Sequence, residues 1–152
     1  MLKIRCVFLM IVLMILPMSC ATSSNTTSIG AELGKYRYAT ISNVMDYGGS
    51  ASLMDMEVKV FNRLHNTRLT MIGDKEINNL SDLEKMSLLL VRFSAQTGSW
   101  GGNTVSINFV DYITGRPIAS VSGKSVDIWV PGDNINAAID GAIDEAVKLF
   151  SR

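Results

Sequence analysis

The chain has little of what builds metal centres and disulfide scaffolds: two cysteines and one histidine among 152 residues. Structural zinc sites take four ligands from Cys and His, and disulfide mini-folds need several Cys pairs. Neither organises this chain, and no metal and no cofactor are expected. Charge of one sign is also missing, since Lys plus Arg and Asp plus Glu each total 14. A neutral chain lacks the electrostatic footprint of nucleic-acid binding, so no nucleic-acid partner is expected. What is present is an apolar fraction of 47%, too high for a disordered tail. The length suits one ordinary domain.

The one long hydrophobic run stands at the N-terminus. Lys3 and Arg5 precede an unbroken apolar stretch from Cys6 to Leu16, and Pro17-Met-Ser-Cys20-Ala21 follows. Eleven helical residues rise only about 16 Å against a hydrocarbon core of about 30 Å. Residues 1–19 therefore read as a secretory signal rather than a membrane span. Two cleavage points compete. Leu16 to Cys20 is lipobox-like, with small Ser19 before Cys20, which makes Cys20 a lipidated first residue. Ser19-Cys20-Ala21 also fits ordinary cleavage after Ala21. Lipidation is favoured, because Cys6 leaves with the signal and Cys20 is then a lone thiol on an exported chain. The mature chain carries 12 basic and 14 acidic residues. Residues 20–34, with the polar run Thr22 to Ser28, are expected to be a flexible tether, and residues 35–152 a single domain.

That domain reads as alternating elements. Tyr36 to Val44 is aromatic and β-branched, a strand. Ser52 and Asp55 have capping-box spacing, and Leu53, Met56, Val60, Phe61 and Leu64 recur at helical intervals to about His65. Arg68 to Ile72 reads as a short strand, and Ser81 and Glu84 cap a short helix through about Lys85. Met86 to Ala95 is a strand whose apolar run Leu88 to Val91 suits a central position. Residues 96–103 are a glycine-rich loop. Thr104 to Asp111 and Pro117 to Asp127 alternate around a Thr114-Gly115 turn, a hairpin. In the first of these strands Val105, Ile107 and Phe109 point one way and Thr104, Ser106 and Asn108 the other. In the second, Ala119 and Val121 oppose Ser120 and Ser122. Ile135, Ala138, Ile139, Ala142, Ile143, Ala146, Leu149 and Phe150 then mark a long amphipathic helix. The order β-α-β-(short α)-β-β-β-α predicts an α+β two-layer sandwich. Its sheet is mixed, mostly antiparallel, of about four to five strands, packed by two main helices.

The lipobox-like segment, the Ser/Thr run and the stretch from Phe109 to Lys124 before an Ala/Ile-rich terminal helix resemble small bacterial envelope lipoproteins. Asp111, Thr114 and Gly115 supply the Asp-x-x-Thr-Gly hairpin turn of several such families. The arrangement is also similar to the α+β domains of lipoproteins that activate cell-wall synthases or build secretion channels. The resemblance implies an exported protein of the cell envelope, anchored in the outer membrane by lipid. A secreted or periplasmic protein is the alternative. No specific activity is implied.

Catalytic chemistry is sparse. His65 has no cysteine partner in the domain, and no Gly-x-Ser-x-Gly elbow is present. Asp46, Asp55 and Glu57 cluster near the first helix, and Asp140, Asp144 and Glu145 share the last. Acidic residues favour helix starts and solvated faces, so both groups read as structural. Gly98 to Gly102 lacks the spacing and lysine of a phosphate loop. The best recognition candidates are Trp100, Gly101 and Gly102, a Trp in a glycine-rich loop, and Trp129. Tyr36, Tyr38, Tyr47 and Tyr112 are strand residues or additions to a binding face. The expected function is a non-enzymatic module that binds another envelope component, protein or glycan, or assembles in a complex. The alternative is a small carboxylate-dependent hydrolase acting on envelope glycan.

Overall fold

The computed structural model describes residues 20–28, 32–41, 51–97, 102–126 and 135–151. Strands β1 (Cys20–Thr27), β2 (Tyr38–Ile41), β3 (Thr70–Met71), β4 (Leu88–Thr97), β5 (Asn103–Asp111) and β6 (Pro117–Val126) form one sheet in the order β1-β6-β5-β4-β2-β3. Helices α1 (Ala51–His65), α2 (Asp82–Lys85) and α3 (Ile135–Leu149) join them, with 3₁₀ turns at Leu33–Lys35 and Asp74–Asn79. β2 runs parallel to β3 and to β4, while the other ladders are antiparallel. The expected α+β class and mixed sheet are thus present.

The strand count differs, because the polar run at residues 20–27 is a strand and not a tether. It pairs with β6 from Cys20↔Val126 to Thr27↔Ala119. Hydrophobic alternation could not announce it, because Thr22 to Thr27 are exposed whichever side of the sheet they face. Backbone pairing and a few side-chain bonds hold it, and those leave no apolar signature. Helix α1 begins at Ala51, so Ser52 lies inside its first turn rather than ahead of it as a cap. The second capping box does form: Ser81 Oγ accepts from the Glu84 amide at 3.3 Å, and Glu84 Oε2 accepts from the Ser81 amide at 2.9 Å.

The core lies between one face of the sheet and helices α1 and α3. Leu89, Val91 and Phe93 of β4, Val105, Ile107 and Phe109 of β5, and Ala119 and Val121 of β6 meet Met56, Val60 and Leu64 of α1 and Ala138, Ile139, Ala142, Ile143 and Ala146 of α3. Phe109 packs on Phe150 with ring centres 4.8 Å apart. The alanine stripe lets α3 descend onto β6 until Gly123 meets its backbone. A Cβ at Gly123 would fall inside the Ala138 carbonyl and the Ala142 amide. Arg68 ties the ends of the domain together, donating to the Leu33 and Tyr36 carbonyls at 2.6 and 2.9 Å and lying 5.3 Å from the Phe150 ring centre.

The hairpin turn is organised by Asp111. Its Oδ1 accepts from the amides of Ile113 and Thr114 and from Thr114 Oγ1, and Gly115 adopts φ 66°. Its Oδ2 accepts from Tyr36 Oη at 2.8 Å and Lys35 Nζ at 3.1 Å. Burial alone would raise this carboxyl, but the Thr114 amide, Tyr36 hydroxyl and Lys35 ammonium together hold it well below the usual carboxylate range.

Candidate functional site

Helices α1 and α3 cover one face of the sheet. On the opposite face Leu88 and Thr40 are buried and Leu90 and Val110 half-buried. Beyond them, among the described residues, the strands present side chains that no helix covers. Register fixes their composition. Arg92, Asn108, Ser120 and Thr26 lie side by side across β4, β5, β6 and β1; Ser94, Ser106, Ser122 and Ser24 form the next row; Gln96, Thr104, Lys124 and Thr22 the third. Residues directly opposite in an antiparallel ladder share a face. The twelve positions are therefore one array, with rows about 7 Å apart and columns about 4.8 Å apart. Each of them is exposed or half-exposed. Eight carry hydroxyls, two carry amides, and Arg92 and Lys124 carry positive charge; none is acidic, aromatic or aliphatic. Ser24 Oγ and Ser122 Oγ are hydrogen-bonded at 2.9 Å. A shallow hollow of about 190 Å³ opens at the edge of the array, lined by Thr26, Thr27, Ser28, Pro117, Ala119 and Ser120.

A second hollow, of about 330 Å³, lies beside the start of β2 and is lined by Arg37, Tyr38, Leu83, Glu84 and Ser87. Its one carboxylate is committed locally. Bonds from the Ser81 hydroxyl and amide, and from Tyr38 Oη at 3.1 Å, lower the Glu84 carboxyl, and that same bond raises the Tyr38 hydroxyl.

The other candidate carboxylates are also accounted for. Asp55 pairs with Lys59 at 3.5 Å and Asp144 with Arg63. Glu145 does not share a solvated surface with Asp140 and Asp144 as expected. It turns to the sheet and is buried, accepting from Lys148 at 2.7 Å, Asn25 at 2.9 Å and Ser23 at 3.0 Å. Those bonds, Lys148 foremost, lower its carboxyl. Glu57 is raised by burial and by the Asp74 charge, and neither residue lines a described hollow. Asp46 lies outside the described residues. Among the described residues no group of three His, Cys, Asp or Glu side chains is placed to hold a metal ion.

Of the residues singled out in the sequence, Cys20 opens β1, and Gly102 stands half-buried just before β5. Trp100, Gly101, Trp129 and Tyr47 lie outside the described residues. His65 ends α1, exposed, its ring parallel to Phe61 with centres 6.4 Å apart. Tyr36 is buried on Asp111, while Tyr112 is exposed in the turn. The sequence showed two columns of the polar face, Thr104, Ser106 and Asn108 on one strand and Ser120 and Ser122 on the next, as the outward sets of alternating strands. It missed the β4 column, because that strand was read from its apolar run and Gln96 was placed in the loop. It missed the β1 column, because residues 20–27 were read as a tether.

No protein-family model and no curated protein matches this chain. Among solved structures it is similar to PelC dodecamers from Paraburkholderia phytofirmans in two crystal forms. One is a point variant, 15% identical, covering 88% of this chain and 100% of that one at a TM-score of 0.48. The other is 14% identical, covering 88% and 99% at 0.47.

Proposed function

We propose that this chain is a non-enzymatic module of the bacterial cell envelope, held at a membrane by lipid on Cys20, that binds another envelope component through the open face of its sheet. The observation that carries the reading is the twelve-residue polar array. Among the described residues no helix covers these twelve positions, none of them is apolar, and positions of that kind add nothing to the core. The anchor is supported by the signal and by the lone Cys20. Among the described residues no helix is long and apolar enough to cross a membrane. Because β1 starts at Cys20 itself, a lipid there leaves no slack, and the array begins two residues from the membrane surface.

Mass measurement of the mature N-terminus from a lipoprotein-competent host, beside Cys20→Ala, tests the anchor. An acylglyceryl adduct lost in the variant supports it; an unmodified chain beginning at Thr22 overturns it. Photo-crosslinkers at Ser106 on the open face and at Asp140 on the exposed side of α3 test the surface in cells. Adducts at Ser106 alone are expected. Adducts at Asp140 alone would move the binding surface to the helical layer.

A further inference from the structure

Resting on the open face just described, we propose that its ligand is an acidic glycan, an extended polymer carrying carboxylates. Three features of the array select this chemistry. Its only ionisable groups are cations: Arg92 and Lys124 stand at diagonal positions, four residues apart along the strands and two strands apart across them. Strand geometry puts their Cα atoms on the order of 16 Å apart. That separation suits two anionic groups on one extended chain and is too wide for a single small anion. Among the described residues neither cation has a carboxylate partner closer than 4.0 Å, so their charge is directed outward.

The groups between the two cations are short hydroxyls and amides, Asn108, Ser106, Thr104, Ser120 and Ser122, which both donate and accept. Sugar hydroxyls need partners of that kind along their length. Protein interfaces instead centre on buried aromatic and aliphatic anchors, and the array has none. A neutral sugar would leave Arg92 and Lys124 without complement. Exposed charges also screen readily, so binding through them falls with salt.

The test uses the mature protein, purified in mild detergent, with polygalacturonate as acidic probe and dextran as neutral one. Polygalacturonate is expected to bind at least tenfold more tightly than dextran and to weaken as salt rises. The double variant R92E/K124E should lose at least tenfold. The variant K75E/R116E, which changes net charge equally at exposed cations outside the array, should keep wild-type affinity. Circular dichroism of each variant excludes unfolding as the cause. Equal loss in both double variants, equal binding of dextran, or no binding of polygalacturonate overturns the proposal. Preference for a DNA oligonucleotide or for anionic phospholipid vesicles over polygalacturonate does so too. Ser106 crosslinks to a protein with no polygalacturonate binding would sink this inference while leaving the open face as the binding surface.

Discussion

The two faces of one sheet follow opposite rules. On β5, Val105, Ile107 and Phe109 are fully buried against α1 and α3. Their neighbours Thr104, Ser106 and Asn108 stand half-exposed, with no helix over them among the described residues. Because side chains alternate along a strand, one residue separates a position that specifies the fold from one that does not. The covered face sets register, helix docking and stability. The open face is released from those demands, which is why its composition is informative about binding.

The sharpest test of this contrast is a pair of adjacent truncations. Phe109→Ala removes a ring packed on Phe150 and is expected to cost about 3–5 kcal/mol. Asn108→Ala should stay within about 0.5 kcal/mol. Denaturant unfolding of both variants measures the difference. Comparable losses would mean that the open face also carries structure.

Next in size is the close approach of α3 to β6. At Gly123 any Cβ meets α3 backbone, which cannot rotate away as a side chain would. Gly123→Ala should therefore destabilise by about 1–3 kcal/mol, the usual range for overpacking. Unchanged thermal unfolding would show that α3 can lift from the sheet without loss.

How much of this could be read from the sequence follows the same division. The covered face was legible because its apolar residues recur with the periods of strand and helix: Val105, Ile107 and Phe109 at two, Ala138, Ile139, Ala142 and Ile143 at three and four. The hairpin was legible because Asp111, Thr114 and Gly115 have turn chemistry. β1 was not. Its residues bond to β6 and to a carboxylate on α3, all far away in sequence, and pairing of that kind leaves no local pattern. The candidate site was half legible for the same reason. Thr104 read as an outward residue of an alternating strand, but nothing local assigned Arg92 or Lys124 to a face; register sets all three in one array.

Smaller again is the effect of acid. Asp111 is buried with its carboxyl held well below the usual range, so the folded state favours the charged form. That stability is complete above the unfolded value near 3.9. It is lost as pH falls through that value toward the folded one. Unfolding free energy should thus decline below about pH 4, and Asp111→Asn should flatten the decline while costing about 1–3 kcal/mol at neutral pH, since Tyr36 and Lys35 lose an ionised acceptor. An unchanged acid limb in the variant would place the titrating group elsewhere.

The smallest effect is local and concerns the strand nearest the proposed anchor. Thr22 to Thr27 of β1 are exposed and polar, and the strand's side-chain hydrogen bonds to α3 pass through Glu145, which receives Ser23 and Asn25. Segments with few apolar contacts open separately from the core. In Glu145→Ala the β1 amides paired to β6 should exchange several-fold faster, while those of Val105 and Ile107 stay at the rate of global unfolding. Acid should act like the substitution, because Glu145 is lowered in the fold and its hold weakens as pH drops through the carboxylate range. Uniform exchange across β1 and β5 in both proteins would mean that the polar edge strand is as firmly bound as the core. The contrast between helix-covered and open structure would then stop at side chains and not reach the backbone.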